Sequence, residues 1–339
     1  MIITIDRSQS NGVIDALGAA TTRSGASMRV IDWNDGSLSV NVLGQIESDV
    51  LGHPAITTVH QVSKAYQLAS KEHRETTVVR VGEVEIGNGT PVIMAGPCVV
   101  SDVEQLVKAA AAVKAAGASI LRGGAFKPRT SPYSFQGLGE EGLQILAGAR
   151  AATGLPVVTE VMEPDQVEVT AAYADMLQIG ARNMANFPLL KRVGKTRTPV
   201  LLKRGFSATI EEWLMSAEYI LAEGNSQVVL CERGIRTFDN SMRFNLDLNA
   251  VPFLKELTHL PVVVDPSHGT GKRSLVAPMA LAGIAAGADG LIIESEPNPD
   301  SAKCDASQTI EPDELARIAR KVTALSELLR VEDLAVAAP

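Results

Sequence analysis

The sequence predicts an α/β protein, a closed parallel barrel behind a smaller α+β domain, and three observations carry that expectation. Eight short β-rich runs recur between residues 91 and 295: PVIMAG, SILRGG, PVVTEV, DMLQIG, PVLLKRG, QVVLCERG, PVVVDPSHG and GLIIES. Alanine-rich amphipathic stretches separate them, and continuous apolar strands alternating with helices mean a parallel sheet covered on both faces. Eight repeats favour closure into a (β/α)8 TIM barrel over an open doubly wound sheet, and no GxGxxG fingerprint follows the first run.

The elements follow in order. Residues 1–70 read as MIITI, a helix-like 11–20, MRVIDW, SLSVNVLG, a short helical patch near 47–51 and ITTVHQV. That β-α-β-β-α-β order is the ferredoxin-like split unit, and a regulatory role is expected of it by fold analogy. Residues 71–90 form a linker and a β-hairpin, TVVRVGEVEIGNG turning at Gly82, placed to plug the lower end of the barrel. The barrel occupies 91–330. Its first helix, 102–116, has Ser101 as the expected N-cap and Gly117 as its stop, and 209–223 is a second clear helix. Residues 331–339 read as a frayed tail.

At 339 residues the chain has room for a barrel of about 250 plus an appendage. A composition of 45% apolar and 21% charged residues is that of a soluble globular enzyme. The formal charge of −8 argues against a nucleic-acid surface or a polybasic membrane patch, though a local cation cluster can still bind anionic substrates. Cys98, Cys231 and Cys304 are too few and too scattered for a disulfide framework. The opening MIITIDRSQS has no secretory pattern, and the longest apolar stretch, 275–288, is too short for a bilayer and contains Pro278. A cytoplasmic enzyme is expected.

In such barrels the working residues lie just past the C-terminal ends of the strands. Here Cys98 follows the first strand, Arg122 and Lys127 the second, and Glu160 ends the third. Arg182, Lys203 and Arg233 follow the fourth, fifth and sixth, Asp265 and His268 the seventh, Glu294 ends the eighth, and Asp305 lies beyond it. Two chemical sets emerge. Cys98, His268, Glu294 and Asp305 combine thiol, imidazole and carboxylates on strands one, seven and eight, which suits a divalent metal ion such as Mn2+, Fe2+, Co2+ or Zn2+. Arg122, Lys127, Arg182, Lys203 and Arg233, with Arg129 nearby, repel one another unless anions bind, so they imply a phosphate and carboxylate site. Lysines among arginines should have depressed pKa values, making one a proton donor. A lone buried histidine or cysteine would ordinarily be structural; the joint placement argues otherwise.

The segments AGPCVV (95–100), LRGGAFKPRTSPYSFQGLG (121–139), QIGARNM (178–184), LLKRG (201–205), CERGIRT (231–237), VVDPSHGTG (263–271) and LIIES (291–295) closely resemble the 3-deoxy-D-arabino-heptulosonate 7-phosphate (DAHP) synthases. The resemblance is to the type I beta branch, which is related to 3-deoxy-D-manno-octulosonate 8-phosphate synthase, and covers about 75–330. It implies a metal-dependent, aldol-like condensation of phosphoenolpyruvate with erythrose 4-phosphate, the first step of the shikimate pathway. Under it, Cys98, His268, Glu294 and Asp305 match the metal ligands. Arg122, Lys127, Arg182, Lys203 and Arg233 match the phosphoenolpyruvate site. Pro128, Arg129, Thr130 and Ser131 match the erythrose 4-phosphate site, with Asp265 beside the sugar aldehyde. Lys127 is the expected proton donor, Asp265 orients the acceptor, and Glu160 is expected to orient the attacking water.

The octulosonate enzymes carry Lys-Ala-Asn-Arg-Ser where this chain has Lys-Pro-Arg-Thr-Ser, and the latter form goes with the four-carbon acceptor. Many relatives have a histidine where this chain has Glu296, and Cys304 stands unusually beside Asp305. The rivals are octulosonate-phosphate synthesis, a metal phosphohydrolase and a non-catalytic effector-binding barrel. By resemblance of 57–73, residues 1–70 would bind an aromatic amino acid, phenylalanine or tyrosine, between the domains and limit access to the barrel mouth. The family also implies a homo-oligomer, a tetramer.

Overall fold

The protein is described from a computed structural model that covers residues 1–336, apart from 34, 130 and 132, with the backbone alone over 331–336. Its N-terminal domain runs β1 (Ile2–Ile5), α1 (Ser10–Ser24), β2 (Ser27–Asp32), β3 (Leu38–Leu43) and β4 (Ile56–His60). The four strands form an antiparallel sheet in the order β2-β3-β1-β4, the ferredoxin-like arrangement. The expected second helix is only a 3-10 turn, Ser48–Gly52. The segment SDVLG packs Val50 and Leu51 on the domain core within a single turn, and so few residues cannot offset the cost of nucleating a longer helix.

A hairpin of β5 (Val79–Val81) and β6 (Val84–Ile86) follows, with Gly82 at φ 58 in the turn. The barrel then begins with β7 (Val92–Gly96), α2 (Val103–Ala115), β8 (Ile120–Arg122), α3 (Glu140–Thr153), β9 (Val157–Glu160) and α4 (Val167–Tyr173). It continues with β10 (Met176–Ile179), α5 (Phe187–Gly194), β11 (Val200–Lys203), α6 (Ile210–Ala222), β12 (Val228–Glu232) and α7 (Ala250–Leu257). It closes with β13 (Val262–Val264), α8 (Pro266–Thr270), α9 (Arg273–Ala285), β14 (Gly290–Glu294) and α10 (Pro312–Val336). All eight apolar runs are strands of one closed parallel barrel, sealed where β14 pairs with β7.

The alternation of side chains explains why these strands read as continuous apolar runs. One set points inward: Met94, Ile120, Val158, Met176, Leu201, Val229, Val263 and Ile292 fill the interior, and Val79, Val81 and Ile86 of the hairpin plug it from below. The other set, including Ile93, Leu121, Val157, Leu177, Leu202, Leu230 and Leu291, packs under the helices.

Helices α2 and α10 each differ from expectation at one end, while α6 spans the expected segment. The N-cap of α2 is Asp102, not Ser101: the Asp102 carboxylate accepts from Gln105 N at 2.8 Å, and an anion also suits the positive helix end. Helix α6 begins at a full capping box between Thr209 and Glu212. Helix α10 runs to Val336, six residues into the segment expected to fray.

The N-terminal domain docks at the foot of the barrel, the end opposite the strand C-termini. Ser226 Oγ, just before β12, donates to Asp32 O at 2.7 Å, and Glu218 of α6 accepts from Leu68 N and Ala69 N, both at 2.9 Å. Trp33 packs against His73 and His259, and the Arg74 guanidinium lies 4.4 Å from its ring centre. His259 bridges the seam, with Nδ1 2.7 Å from Thr77 Oγ1 and Nε2 2.7 Å from Leu68 O. In this arrangement the domain stands away from the mouth of its own barrel, contrary to the expected occlusion.

Burial pushes His73 down to about 4 and His259 to about 3, and the nearby Arg74 charge acts in the same direction. Both are therefore neutral when folded but protonate when exposed, so the stability they contribute is complete above pH 6.5 and lost as pH falls through 4 and 3. At about 1.4 kcal/mol per pKa unit, each contributes a few kcal/mol. In a Trp213→Phe background, Trp33 emission should hold steady above pH 6.5 and shift to the red on acidification toward pH 4. A flat emission over that range would dissociate the histidines from the seam.

Candidate active site

Barrel closure brings strands β13, β14, β7 and β8 side by side, and with them residues far apart in sequence. Glu294 ends β14 directly opposite Gly96 of β7, where a Cβ would lie 2.1 Å from Arg122 O. That glycine lets β7 and β8 approach, and Arg122 Nη1 then reaches Glu294 Oε1 at 2.8 Å, both side chains being buried. Gln308 Nε2 donates to the other Glu294 oxygen at 2.7 Å. His268, on α8, sits with Nε2 3.4 Å from Glu294 Oε1.

Asp265 caps α8 through His268 N and accepts from His268 Nδ1 at 2.7 Å. The imidazole is thereby oriented with Nε2 toward the carboxylate corner, the arrangement typical of a metal-ligating histidine. Cys98 follows β7, with its Sγ 3.1 Å from Asp305 Oδ2 and 2.8 Å from Cys304 Sγ. Lys127 Nζ lies 2.8 Å from Cys98 Sγ and 3.2 Å from Asp305 Oδ2. Asp305 is the one non-glycine among the described residues with positive φ, 56°, a conformation that turns its carboxylate into this corner.

The donor atoms of His268, Glu294 and Asp305 lie within 4.8 Å of one another, as do those of Cys98, Cys304 and Asp305. The four expected ligands thus meet through the shared Asp305, and Cys304 joins them. A thiol, an imidazole and two carboxylates fit a borderline divalent ion.

The pocket beside this corner is a cavity of about 280 Å3. Arg122, Lys127, Pro128, Arg129, Ser131, Glu160, Arg182, Lys203, Arg233, His268 and Asp305 of the expected residues line it. Thr130 lies outside the described residues. Cys98 and Glu294 sit beneath the lining. Asp265 does not face the cavity either: it is buried, and its Oδ2 is engaged by His268 and by Lys203 Nζ at 2.6 Å. An acceptor-orienting contact from Asp265 therefore gives way to a role in aiming those two side chains.

The electrostatics separate the cations. Arg122, Lys127 and Lys203 each have a carboxylate partner, whereas Arg182 and Arg233 have none among the described residues. Burial would lower Lys127, but Cys98, Glu294 and Asp305 outweigh it and hold the ammonium above its usual range. The expected depression fails because Lys127 sits beside the Cys98 sulfur and the carboxylates of Glu294 and Asp305, not among arginines. Burial raises Cys98, with the Cys304 contact adding to it, while Lys127 and His268 hold Asp305 low against its burial. Arg122 Nε is a buried donor without a hydrogen-bond partner, at the edge of a cationic cavity. An anion's oxygen is the natural complement.

Sequence reasoning missed Gln178, Phe206, Arg243 and Gln308. Gln178 Nε2 donates to Glu160 Oε2 at 3.2 Å, and Arg243 Nη1 lies 3.5 Å from Asp305 Oδ1. Gln178 lies inside β10, one residue before its end, and heads the segment 178–184, so its place near a strand C-terminus was an available signal. Arg243 and Phe206 lie in loops whose folding only the structure gives.

This is a (β/α)8-barrel enzyme site built for polyanionic substrates beside a group able to hold a metal ion. The chain belongs to the DAHP synthetase I family, which matches residues 49–331. It is 49% identical over 278 residues to the phospho-2-dehydro-3-deoxyheptonate aldolase of Thermotoga maritima, covering 82% of each chain. A crystal structure of that Thermotoga maritima DAHP synthase superposes with a TM-score of 0.77 at 41% identity over 97% of each chain. A 2-dehydro-3-deoxyphosphooctonate aldolase of Bradyrhizobium diazoefficiens is 32% identical over 274 residues, 75% of this chain and 96% of that protein. No described helix is long and apolar enough to cross a membrane.

Gly180 supplies a sharp test of the cavity wall. Its φ of −67° suits any residue, but a Cβ there would lie 2.0 Å from Glu160 Oε1. Gly180→Ala should therefore leave the melting temperature within a few degrees and displace the Glu160 carboxylate. A displacement of about 1 Å in a reacting constellation lowers kcat by roughly 100-fold. A kcat within threefold of wild type would show that Glu160 has no part in turnover.

Proposed function

We propose that the chain condenses phosphoenolpyruvate with erythrose 4-phosphate and water to give DAHP and phosphate, as a cytoplasmic, metal-dependent transferase. One observation carries the reading: a single cavity has two cationic walls. Arg233 follows β12 and the Lys127–Ser131 segment follows β8, and these strands stand four apart in a ring of eight. A cavity with two anion-binding walls and an acidic corner between them suits a bisubstrate reaction of two phosphate esters better than hydrolysis of one.

Arg122, Arg182, Lys203 and Arg233 bind the phosphate and carboxylate of phosphoenolpyruvate. Pro128, Arg129, Thr130 and Ser131 take the phosphate of erythrose 4-phosphate. Holding both anions together lowers the entropic barrier to attack of C3 on the aldehyde carbon. Cys98, His268, Glu294 and Asp305 would hold a divalent ion, which would supply Lewis acidity for the aldehyde oxygen without redox change. Lys127, drawn toward that corner by Cys98 and Asp305, delivers a proton to the developing alkoxide. Asp265 fixes the imidazole of His268 and the ammonium of Lys203. Glu160, steadied by Gln178, orients the water that adds to C2; the resulting phosphohemiketal then expels phosphate.

Phosphate release should occur with manganese, phosphoenolpyruvate and erythrose 4-phosphate, be lost on chelation and return with a divalent transition metal. Arabinose 5-phosphate should fail as acceptor; its preference over erythrose 4-phosphate would make the chain an octulosonate-phosphate synthase. Silence with both acceptors in metal-loaded, folded protein would favour the non-catalytic effector-binding barrel.

The N-terminal domain is proposed to be regulatory, with an aromatic amino acid as effector and a homo-oligomer as the working form. Phenylalanine or tyrosine should lower turnover of the full chain, and by whatever factor it weakens substrate binding, substrate should weaken effector binding equally. Removing residues 1–70 should leave an active barrel insensitive to either; inhibition that survives the truncation would reject the assignment.

A further inference from the structure

Arg182 and Arg233 reach the cavity without a carboxylate, and the structure restrains them by other means. Phe206, after β11, and Phe244, after β12, stack with centroids 5.1 Å apart and 23° between planes. Arg233 Cζ lies 4.0 Å from the Phe244 centroid and 5.0 Å from that of Phe206. Arg182 and Arg236 approach Phe206 at 5.5 and 5.2 Å, and Arg243 approaches Phe244 at 5.4 Å. Four guanidiniums thus surround one aromatic pair.

The pair sits in a built scaffold. Arg236 N donates to Phe206 O at 2.7 Å, and Ile235 and Asn245 exchange backbone hydrogen bonds that fold the β12–α7 loop back on itself. Gly234, at φ 89°, makes the seat: a Cβ there would lie 2.9 Å from Phe244 Cβ. Phe244 is buried, while Phe206 is half-buried and lines the cavity.

The chemistry of the restraint matters. A carboxylate would orient an arginine but also neutralise it and occupy its donors, so an incoming anion would have to displace it. An aromatic face holds the guanidinium through its quadrupole and leaves the in-plane N–H groups and the full charge available. Arg122, Lys127 and Lys203 are held in the first way, and Arg182 and Arg233 in the second.

We propose that the stacked Phe206–Phe244 pair is a positioning device that presents Arg182 and Arg233, without a paired carboxylate, to the phosphate of the enolpyruvyl substrate. The inference rests on the reading above that this cavity binds phosphoenolpyruvate.

The test is steady-state kinetics on the metal-loaded full chain with Phe206→Leu and Phe206→Tyr, alongside thermal melts. Phe206→Leu should raise the KM for phosphoenolpyruvate at least tenfold, with kcat within threefold, the KM for erythrose 4-phosphate within twofold and a nearly unchanged melting temperature. Phe206→Tyr keeps the ring and should behave as wild type, which a merely space-filling role does not require. Should the leucine variant misfold, Phe206→Met at the same position must give the same split. A phosphoenolpyruvate KM within twofold of wild type, an equal rise in both KM values, or a tyrosine variant as impaired as the leucine one overturns the inference. A wild-type chain that neither binds nor turns over phosphoenolpyruvate overturns the functional reading and this inference together; normal wild-type turnover with an unaffected leucine variant overturns the inference alone.

Discussion

The buried Arg122–Glu294 ion pair is the interaction on which the site depends. Both groups are almost wholly withdrawn from water, so each is stable only while the other is present, and removing one partner from such a pair costs roughly 3–5 kcal/mol. The pair spans β7, linking the last barrel strand to the second across the seam where the sheet closes. Closure, charge neutralisation and site assembly are thus one event. The same Glu294 faces His268 and takes a hydrogen bond from Gln308, while Arg122 keeps its Nε for the cavity. A carboxylate at this point ties the acidic corner to the cationic wall, so neither half can be placed without the other.

A second constraint follows from concentrating like charges in about 280 Å3. The chain meets it unevenly. Glu294 and Asp305 compensate Arg122 and Lys127, which follow β8, and Asp265 compensates Lys203 at the end of β11. On the side of β10 and β12, aromatic faces restrain Arg182 and Arg233 without compensating them. Attraction for a highly charged phosphate is strongest where no protein anion competes. The acidic corner lies where a cation or a proton transfer is required.

The barrel was legible in the sequence because each of its strands is buried on both faces and so leaves a continuous apolar run. The acidic corner was legible for a related reason: strand C-termini open on one mouth, so Cys98, His268, Glu294 and Asp305, whose donor atoms the fold brings close, could be grouped from their offsets. What stayed hidden depends on neighbours distant in sequence. The ionisation of Lys127 is set by Cys98, Glu294 and Asp305, not by the arginines it was grouped with. Asp265 ends a strand as expected but is consumed by His268 and Lys203, because α8 starts immediately and turns its carboxylate back into the wall. Phe206 and Phe244 lie 38 positions apart in loops without periodicity, and nothing local marks them as a pair. Asp102 displaced Ser101 as a cap since both residues have the chemistry and only the backbone path chooses.

The position of the N-terminal domain limits how it can act within one chain. A domain at the foot cannot cover the mouth of its own barrel, so any effect on turnover must pass through the wall between them. Contiguous contacts exist: Leu68 and Ala69, in the segment between β4 and β5, rest on Glu218 of α6, and Trp213 of the same helix donates to Leu202 O, next to Lys203. Contiguity alone is not coupling, which needs an element with two arrangements of similar free energy. The seam has the features of such an element. His73 Nε2 and Gln67 Oε1 are buried there without partners, and burial raises Glu218 to about 7 against the linker amides that favour its ionised form. Unpartnered polar groups lower the cost of opening that part of the seam, while Trp33, Leu68 and Ala69 hold it through the apolar core. A ligand that binds only the docked or only the released domain would shift that balance by its differential affinity, and α6 is the first part of the barrel to register the change.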